Sequence, residues 1–359
     1  MVTERYEPWT HTPFENWVVD EGLKVVQGQS IADVHAVELA PWTRTGCETI
    51  IIDLTADPFE GVLINNSAMV YYLHEIAPSS TYKVERHMYE EMFFVLKGRG
   101  ATIVWYDDGP KQTFEWQEGS VFSIPLNAWH EIYNGSGEES ARLFASTNAP
   151  AVFDLFASPE LVFNCPMSFR DRFDPTDELY FSGKTTKLED RYMETNFIPN
   201  AHAVSLDRWA LRGPGANMMI AMAGGNFICH LSEFPANSYK KAHTQEIRRR
   251  RGLAGNVAYL MLSGEGYDLQ WPFGVKPGPG VPWDMLDYRK GSLLTSGVGY
   301  HQHFNIGDEP IRYIVLRQGN PRYVGAVGAA FKDSGGSNIE FEDEDPAIRE
   351  LFEARKRGK

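Results

Sequence analysis

The sequence predicts an all-β protein built from two copies of one unit. Three observations carry this. Short runs rich in Val, Ile, Phe and Tyr, at 49–54, 69–73, 92–96 and 101–105, sit between clusters of Gly, Pro, Asn and Asp. That alternation is the punctuation of many short strands. Helical periodicity is scarce, and the best helix candidate is the acidic end at 346–359, where Ile348, Leu351 and Phe352 recur at three-to-four spacing. The chain also repeats itself, in order, across most of its 359 residues.

The repeat is read as follows. His35, Trp42 and Gly46 return as His202, Trp209 and Gly213. Ser80-Thr81-Tyr82-Lys83 returns as Asn237-Ser238-Tyr239-Lys240. Leu96, Gly98 and Gly100, with Trp105 following, return as Leu262, Gly264 and Gly266, with Trp271 following. Gly119, His130 and Asn134 return as Gly291, His301 and Asn305. In chain order this gives an N-terminal arm at 1–30, copy one at 31–150, a connecting segment at 151–197, copy two at 198–320 and a tail at 321–359. The connecting segment is rich in Phe, Asp and Arg, too apolar for a free linker, and is expected to pack on the copies. The tail is Gly-rich, then acidic.

Composition narrows the function. With 34 basic and 48 acidic residues the formal charge is −14, which argues against wholesale binding to nucleic acid or an anionic membrane. Cys47, Cys165 and Cys229 lie far apart without CxxC spacing, excluding a disulfide scaffold or thiolate zinc ribbon and fitting a reducing compartment. The first 17 residues lack an apolar signal-type core, and no apolar run reaches about 18 residues. A soluble, cytoplasmic protein is expected. No P-loop, GxGxxG, GxSxG or HExxH pattern stands in a supporting context.

The candidate ligands cluster. In copy one Glu85, His87 and Glu91 precede Gly98, and Gly119, Pro125, His130 and Asn134 follow. Alternate residues of a strand face the same way, so this pattern aims donors into one interior, and a second strand brings His130 from across it. These residues resemble the two motifs of the cupin superfamily: His87, Glu91 and Gly98 fit the end of the first, and the later four fit the second at every spacing, with Asn127 replacing a glycine. The resemblance covers both copies. It implies two tandem cupin barrels of double-stranded β-helix (jelly-roll) type, related by a pseudo-two-fold axis.

It also implies a metal. In copy one His87, Glu91 and His130 form the conservative set, a two-histidine, one-carboxylate face suited to a first-row divalent ion, with Glu85 as a fourth donor. Glu85 and His130 are the candidate catalytic residues. Glu91 is taken as inward, leaving its neighbour Glu90 toward solvent. Copy two departs further: His243 and Gln245 stand at the histidine positions, Val257 replaces Glu91 unless Glu246 compensates, and His301 and His303 share one strand face. The weaker set there is His243, Gln245, His301 and His303, or else an empty interior. The run Arg248–Arg251, read mainly as a solvated patch, offers Arg248 as a guide for a carboxylate substrate. Trp105 and Trp129 are candidates for lining an aromatic pocket.

Among two-cupin chains of this length the sequence resembles the gentisate 1,2-dioxygenase-like group. That resemblance implies a non-haem dioxygenase using Fe(II), or another first-row metal such as Mn(II), dioxygen and a small hydroxylated aromatic or carboxylic acid. That group uses an all-histidine site, and copy one is carboxylate-rich. Two alternatives stay open: a redox-neutral decarboxylase or isomerase, and a non-enzymatic cupin that binds a small ligand. Copy one is expected to be the catalytic centre and copy two secondary. Exposed β-edges and the apolar connecting segment predict a homo-oligomer, a dimer or a tetramer.

Overall fold

The computed structural model describes residues 11–56, 59–189, 191–244, 257–272, 274–275, 283–296, 299–320 and 337–358. In chain order the elements are α1 (Pro13–Asp20), β1 (Val25–Gly28), β2 (Ser30–Ile31), β3 (Ala40–Trp42), β4 (Cys47–Leu54), β5 (Val70–Ile76), β6 (Thr81–Glu85), β7 (Glu91–Lys97), β8 (Arg99–Trp105), β9 (Gln112–Gln117), β10 (Val121–Ile124), β11 (Trp129–Asn134), β12 (Ala141–Thr147), α2 (Ala149–Phe156), α3 (Pro159–Asn164), β13 (Thr186–Glu189), β14 (Tyr192–Glu194), β15 (Phe197–Ile198), β16 (Asp207–Arg208), β17 (Ala216–Ala221), β18 (Phe227–Phe234), β19 (Ser238–Tyr239), β20 (His243–Thr244), β21 (Ala258–Ser263), β22 (Glu265–Pro272), β23 (Asp284–Arg289), β24 (Leu293–Thr295), β25 (Gly299–Asn305), β26 (Ile311–Gln318) and α4 (Pro346–Arg357).

Each copy is two sheets. Copy one has a large sheet ordered β1-β4-β5-β12-β7-β10-β15, with β3 on β4, and a small sheet β6-β11-β8-β9. Copy two repeats this as β13-β14-β17-β18-β26-β21-β24-β2, with β16 on β17, and β19-β25-β22-β23, with β20 on β25. The expected jelly-roll fold is borne out, without closure into barrels. Among the described residues no ladder joins a large sheet to its small partner, so each copy is a two-sheet jelly roll rather than a closed barrel.

The large sheets are covered on both faces, which is why their strands read as continuous apolar runs. Along β5, Val70, Tyr72 and Ile76 point into copy one, packing with Tyr82, Val104 and Ile132 of the small sheet. The alternate residues, Tyr71 and Leu73, point the other way and pack with Ile220, Leu231, Leu260 and Ile314 of copy two. The two large sheets therefore stack back to back. At about 1.5–3 kcal/mol for each fully buried large apolar side chain, this shared layer fixes the copies on one another.

Two strands are exchanged across that layer. β2, from the start of copy one, pairs with β24 of copy two, and β15, from the start of copy two, pairs with β10 of copy one. The repeat extends further back than the sequence match indicates, because β1 runs parallel to β4 just as β14 runs parallel to β17. Strands this short carry too few residues for a sequence match.

The connecting segment packs as expected. Phe153, Phe163, Phe173 and Phe181 are buried in the core of copy one beside Phe14 and Trp17 of α1. The expected C-terminal helix is α4. It lays Ile348 and Phe352 against Tyr267 and Phe304 on the outer face of the small sheet of copy two. All three cysteines are buried and free. Among the described residues no helix is long and apolar enough to cross a membrane.

Candidate metal centre

In copy one β6 and β11 lie side by side, with Glu85 opposite His130. His87 follows two residues beyond the end of β6. Donor atoms of Glu85, His87 and His130 all lie within 4.8 Å of one another, and all three residues are buried. Glu91 heads β7 in the facing sheet and touches the group from the side, its Oε2 lying 3.3 Å from His87 Nε2. The compact set therefore contains Glu85 in place of Glu91, because strand pairing with His130, rather than spacing to Gly98, fixes which carboxylate is central.

The outer ring nitrogens are committed. His87 Nδ1 donates to the Tyr89 carbonyl at 2.8 Å and His130 Nδ1 to the Ala128 carbonyl at 3.2 Å. Each imidazole is thus fixed with its Nε2 toward the cluster, the arrangement that orients metal-binding histidines. His130 Nε2 and Glu85 Oε2 are buried without a hydrogen-bond partner, and His87 Nε2 and Glu91 Oε2 have only one another, at 3.3 Å. Buried, convergent and under-satisfied donors of this kind are costly unless something binds them. A divalent cation fits that donor set.

Electrostatics separate the two histidines. Burial depresses the His130 pKa to about 3, helped by the nearby His87, so its imidazole is neutral. Burial also opposes a charge on His87, but Glu91 and Glu85 outweigh it and leave that pKa above the ordinary range. Glu85 is pushed up to about 7 by burial, against the opposing pull of His87 and of a hydrogen bond from the Tyr82 hydroxyl.

Copy two builds a different group from the same frame. His243 on β20 pairs with His301 on β25, and His303 stands two residues further on the same face. Donor atoms of His243, His301 and His303 lie within 4.8 Å of one another, all buried. His243 Nδ1 donates to the Lys241 carbonyl at 3.1 Å. His303 Nδ1 meets Asp268 Oδ1 at 2.8 Å, and Asp268 also receives the Tyr259 hydroxyl and, at 3.0 Å, Gln270 Nε2. Burial lowers the pKa of His243 and of His301 well below the usual value, keeping both neutral. Val257 joins the apolar interior with Tyr259 and Met261. Gln245, Glu246 and Arg248 lie outside the described residues.

Asp268 and Tyr259 escaped the sequence reading. Asp268 lies opposite His303 in the β22–β25 ladder, two residues beyond Gly266, so extending that strand by period two would have exposed it. Lys240 was misplaced rather than missed. The sequence match sets Tyr239 on Tyr82, but the ladders pair Thr81 with Tyr133 and Tyr239 with the equivalent Phe304. Ser79 and Asn237, both at φ 54°, mark the same turn position and confirm the one-residue shift. Lys240 therefore takes the inward place of Tyr82. Its ammonium is buried, which lowers its pKa, with Tyr313 opposing.

Two other expectations are corrected. Trp105 and Trp129 pair with each other on β8 and β11, and period two puts Trp129 on the face away from His130. Their rings stack on the outer surface, under Lys111 and Arg86 respectively, and do not reach the cluster. Glu90 does not face solvent. It is buried, holds Arg172 Nη1 at 2.8 Å, and accepts the Asn226 amide at 2.9 Å from the β17–β18 turn of copy two. The back-to-back stacking places copy two where an isolated unit would meet water. Asn127, at the glycine position of the second motif, adopts φ 56°, a left-handed conformation that asparagine tolerates.

Residues 72–147 match the cupin domain. This cupin domain spans both strands that carry the Glu85, His87 and His130 group. Auxin-binding protein 4 of Zea mays is 29% identical over 128 residues, 34% of this chain and 59% of that protein. Auxin-binding protein T85 of Nicotiana tabacum is 31% identical over 86 residues, 23% of this chain and 46% of that protein. 5-Aminosalicylate 1,2-dioxygenase of Comamonas sp is 28% identical over 122 residues, 31% of each. The chain thus spans about half the length of the first two and less of the third. Among solved structures, a deletion mutant of oxalate decarboxylase from Bacillus subtilis superposes with a TM-score of 0.50 at 12% identity, over 82% of this chain and 78% of that one. A structure used to study the Mn(II) centres of the same enzyme superposes equally, at 11% identity. At such identity the likeness is one of fold, and it extends over both copies.

Proposed function

We propose that the chain is a metal-dependent cupin dioxygenase acting on a small hydroxylated aromatic or carboxylic acid. One observation carries the reading: two buried imidazoles and a carboxylate, His87, His130 and Glu85, converge with their outer nitrogens held by backbone carbonyls. The partial likeness to 5-aminosalicylate 1,2-dioxygenase supports the oxygenase class. A divalent ion held there would supply Lewis acidity toward a bound hydroxyl or carboxylate and, as Fe(II), electrons for dioxygen. The chain's own residues do the rest. The Tyr82 hydroxyl holds one oxygen of Glu85 and leaves Oε2 for the cluster. Glu91, beside His87, is the carboxylate placed to receive a substrate proton. The aromatic walls around the group, Tyr72, Tyr82, Tyr89 and Phe93, exclude water.

A second reading rests on Glu91. With two carboxylates beside two imidazoles, the donor set suits a harder ion such as Mn(II) and a redox-neutral decarboxylation. Metal analysis of the protein as purified, with oxygen uptake and carbon dioxide release measured over a panel of hydroxybenzoates and short dicarboxylates, separates the two. Iron with stoichiometric oxygen uptake supports the dioxygenase. Carbon dioxide release without oxygen uptake establishes the second reading. Absence of both metal and turnover refutes both and leaves a ligand-binding cupin.

A further inference from the structure

We infer that the interior of copy two is a binding site for a small carboxylate, with Lys240 as its charge partner. The argument starts from burial. Lys240 is 4% exposed. Its ammonium donates to two neutral hydroxyls, Ser232 Oγ at 2.7 Å and Tyr313 at 3.2 Å. Its remaining face meets only the Phe234 and Tyr313 rings, each 5.0 Å away, and among the described residues no carboxylate pairs with it. A buried ion without a counter-ion is costly to desolvate, and a bound carboxylate would offset that cost with a charge-assisted hydrogen bond.

No carboxylate among the described residues of copy two is free to answer the charge. Asp268 is the one buried carboxylate among the described residues of copy two, and His303, Tyr259 and Gln270 already occupy it. Tyr313 links the ammonium to the histidine group, its ring lying 5.5 Å from that of His303. His301 Nδ1 is likewise buried without a hydrogen-bond partner and is a second donor for a ligand oxygen.

Copy one provides the internal comparison. Strand register puts Tyr82 at the place of Lys240, His74 at that of Ser232 and Leu143 at that of Tyr313. That interior holds two carboxylates, Glu85 and Glu91, and no lysine. One fold thus presents a carboxylate-rich interior in copy one and, in copy two, a buried ammonium close to a histidine group. The inference goes beyond the proposed reaction and does not depend on a metal in copy one.

The test is calorimetric titration of the full chain with acetate and benzoate, against acetamide and benzamide as neutral counterparts of matched shape. It is run in the unaltered protein and in His130→Ala, which removes the copy-one group. Acid binding is expected in both, with the amides weaker. Lys240→Met keeps the length of the side chain and removes its charge, and should weaken the acids about tenfold or more while leaving the amides unchanged. Should Lys240→Met fail to fold, the Nζ resonance of Lys240 in isotope-labelled unaltered protein serves instead, and it should shift on adding acetate. Acid binding that survives Lys240→Met, an Nζ resonance that does not move, or acid binding that is lost in His130→Ala would each overturn the inference. The last would place the acid in copy one.

Discussion

Glu90→Ala should loosen the two copies from one another. The Glu90 carboxylate is the meeting point of three parts of the chain: copy one, the connecting segment through Arg172, and the β17–β18 turn through the Asn226 amide. Its own amide is held by Asn148 Oδ1 at 2.7 Å, so the backbone there stays anchored when the side chain is cut. Removing the carboxylate deletes two charge-assisted hydrogen bonds, each worth about 1.5–3 kcal/mol. Arg172 keeps 23% of its side chain exposed, against 10% for Glu90, so water takes up part of its loss. The low end of the range applies, and the net cost is about 3–4 kcal/mol. Urea unfolding followed by tryptophan fluorescence reads this directly. Glu178→Ala, at an exposed position of the connecting segment, is the control and should fall within about 0.5 kcal/mol of the unaltered protein. If Glu90→Ala lost no more than that control, the carboxylate would contribute nothing to holding the copies together, and the account of the interface would fail.

Three further outcomes follow from the two clusters. His87→Ala and His130→Ala should each lose one equivalent of bound metal, measured by plasma mass spectrometry, while circular dichroism stays unchanged because the core is built from other residues. In metal-stripped protein, uptake of a divalent ion by copy one should weaken as pH falls. Glu85, raised to about 7, binds a proton the metal must displace, whereas His130, depressed to about 3, does not. Glu85 alone makes uptake about 50-fold weaker at pH 5 than at pH 7, and a flat profile would contradict its place in the cluster. Asp268→Asn should weaken metal uptake by copy two by about 10–100-fold, since it orients His303 without belonging to the histidine group, and should leave copy one untouched.

Much of this molecule is legible in its sequence. The repeat was visible because turns and motifs recur in fixed order, and φ-restricted positions such as Gly119 and Gly291 keep their residue type. The candidate ligands His87, Glu91 and His130, with Glu85 as a fourth, were legible from motif spacing and strand period, but not which carboxylate stands beside His130. Helices α1 to α3 were not recognised. Each is eight residues or fewer, too short for periodicity, although the Thr12 and Glu15 capping box that starts α1 was there to be read.

Sequence by itself determined the residue types, the repeat and the alternation of faces along each strand, because those depend on local chain geometry. Only tertiary structure decided which faces meet. Glu90 is buried because a second copy lies against it. Glu85 displaces Glu91 from the centre because β6, not β7, pairs with the His130 strand. Lys240, one residue from where the sequence match put it, turns inward because the β19–β25 ladder sets its register. In each case the deciding contact joins residues far apart in the chain, and local spacing carries no information about such contacts.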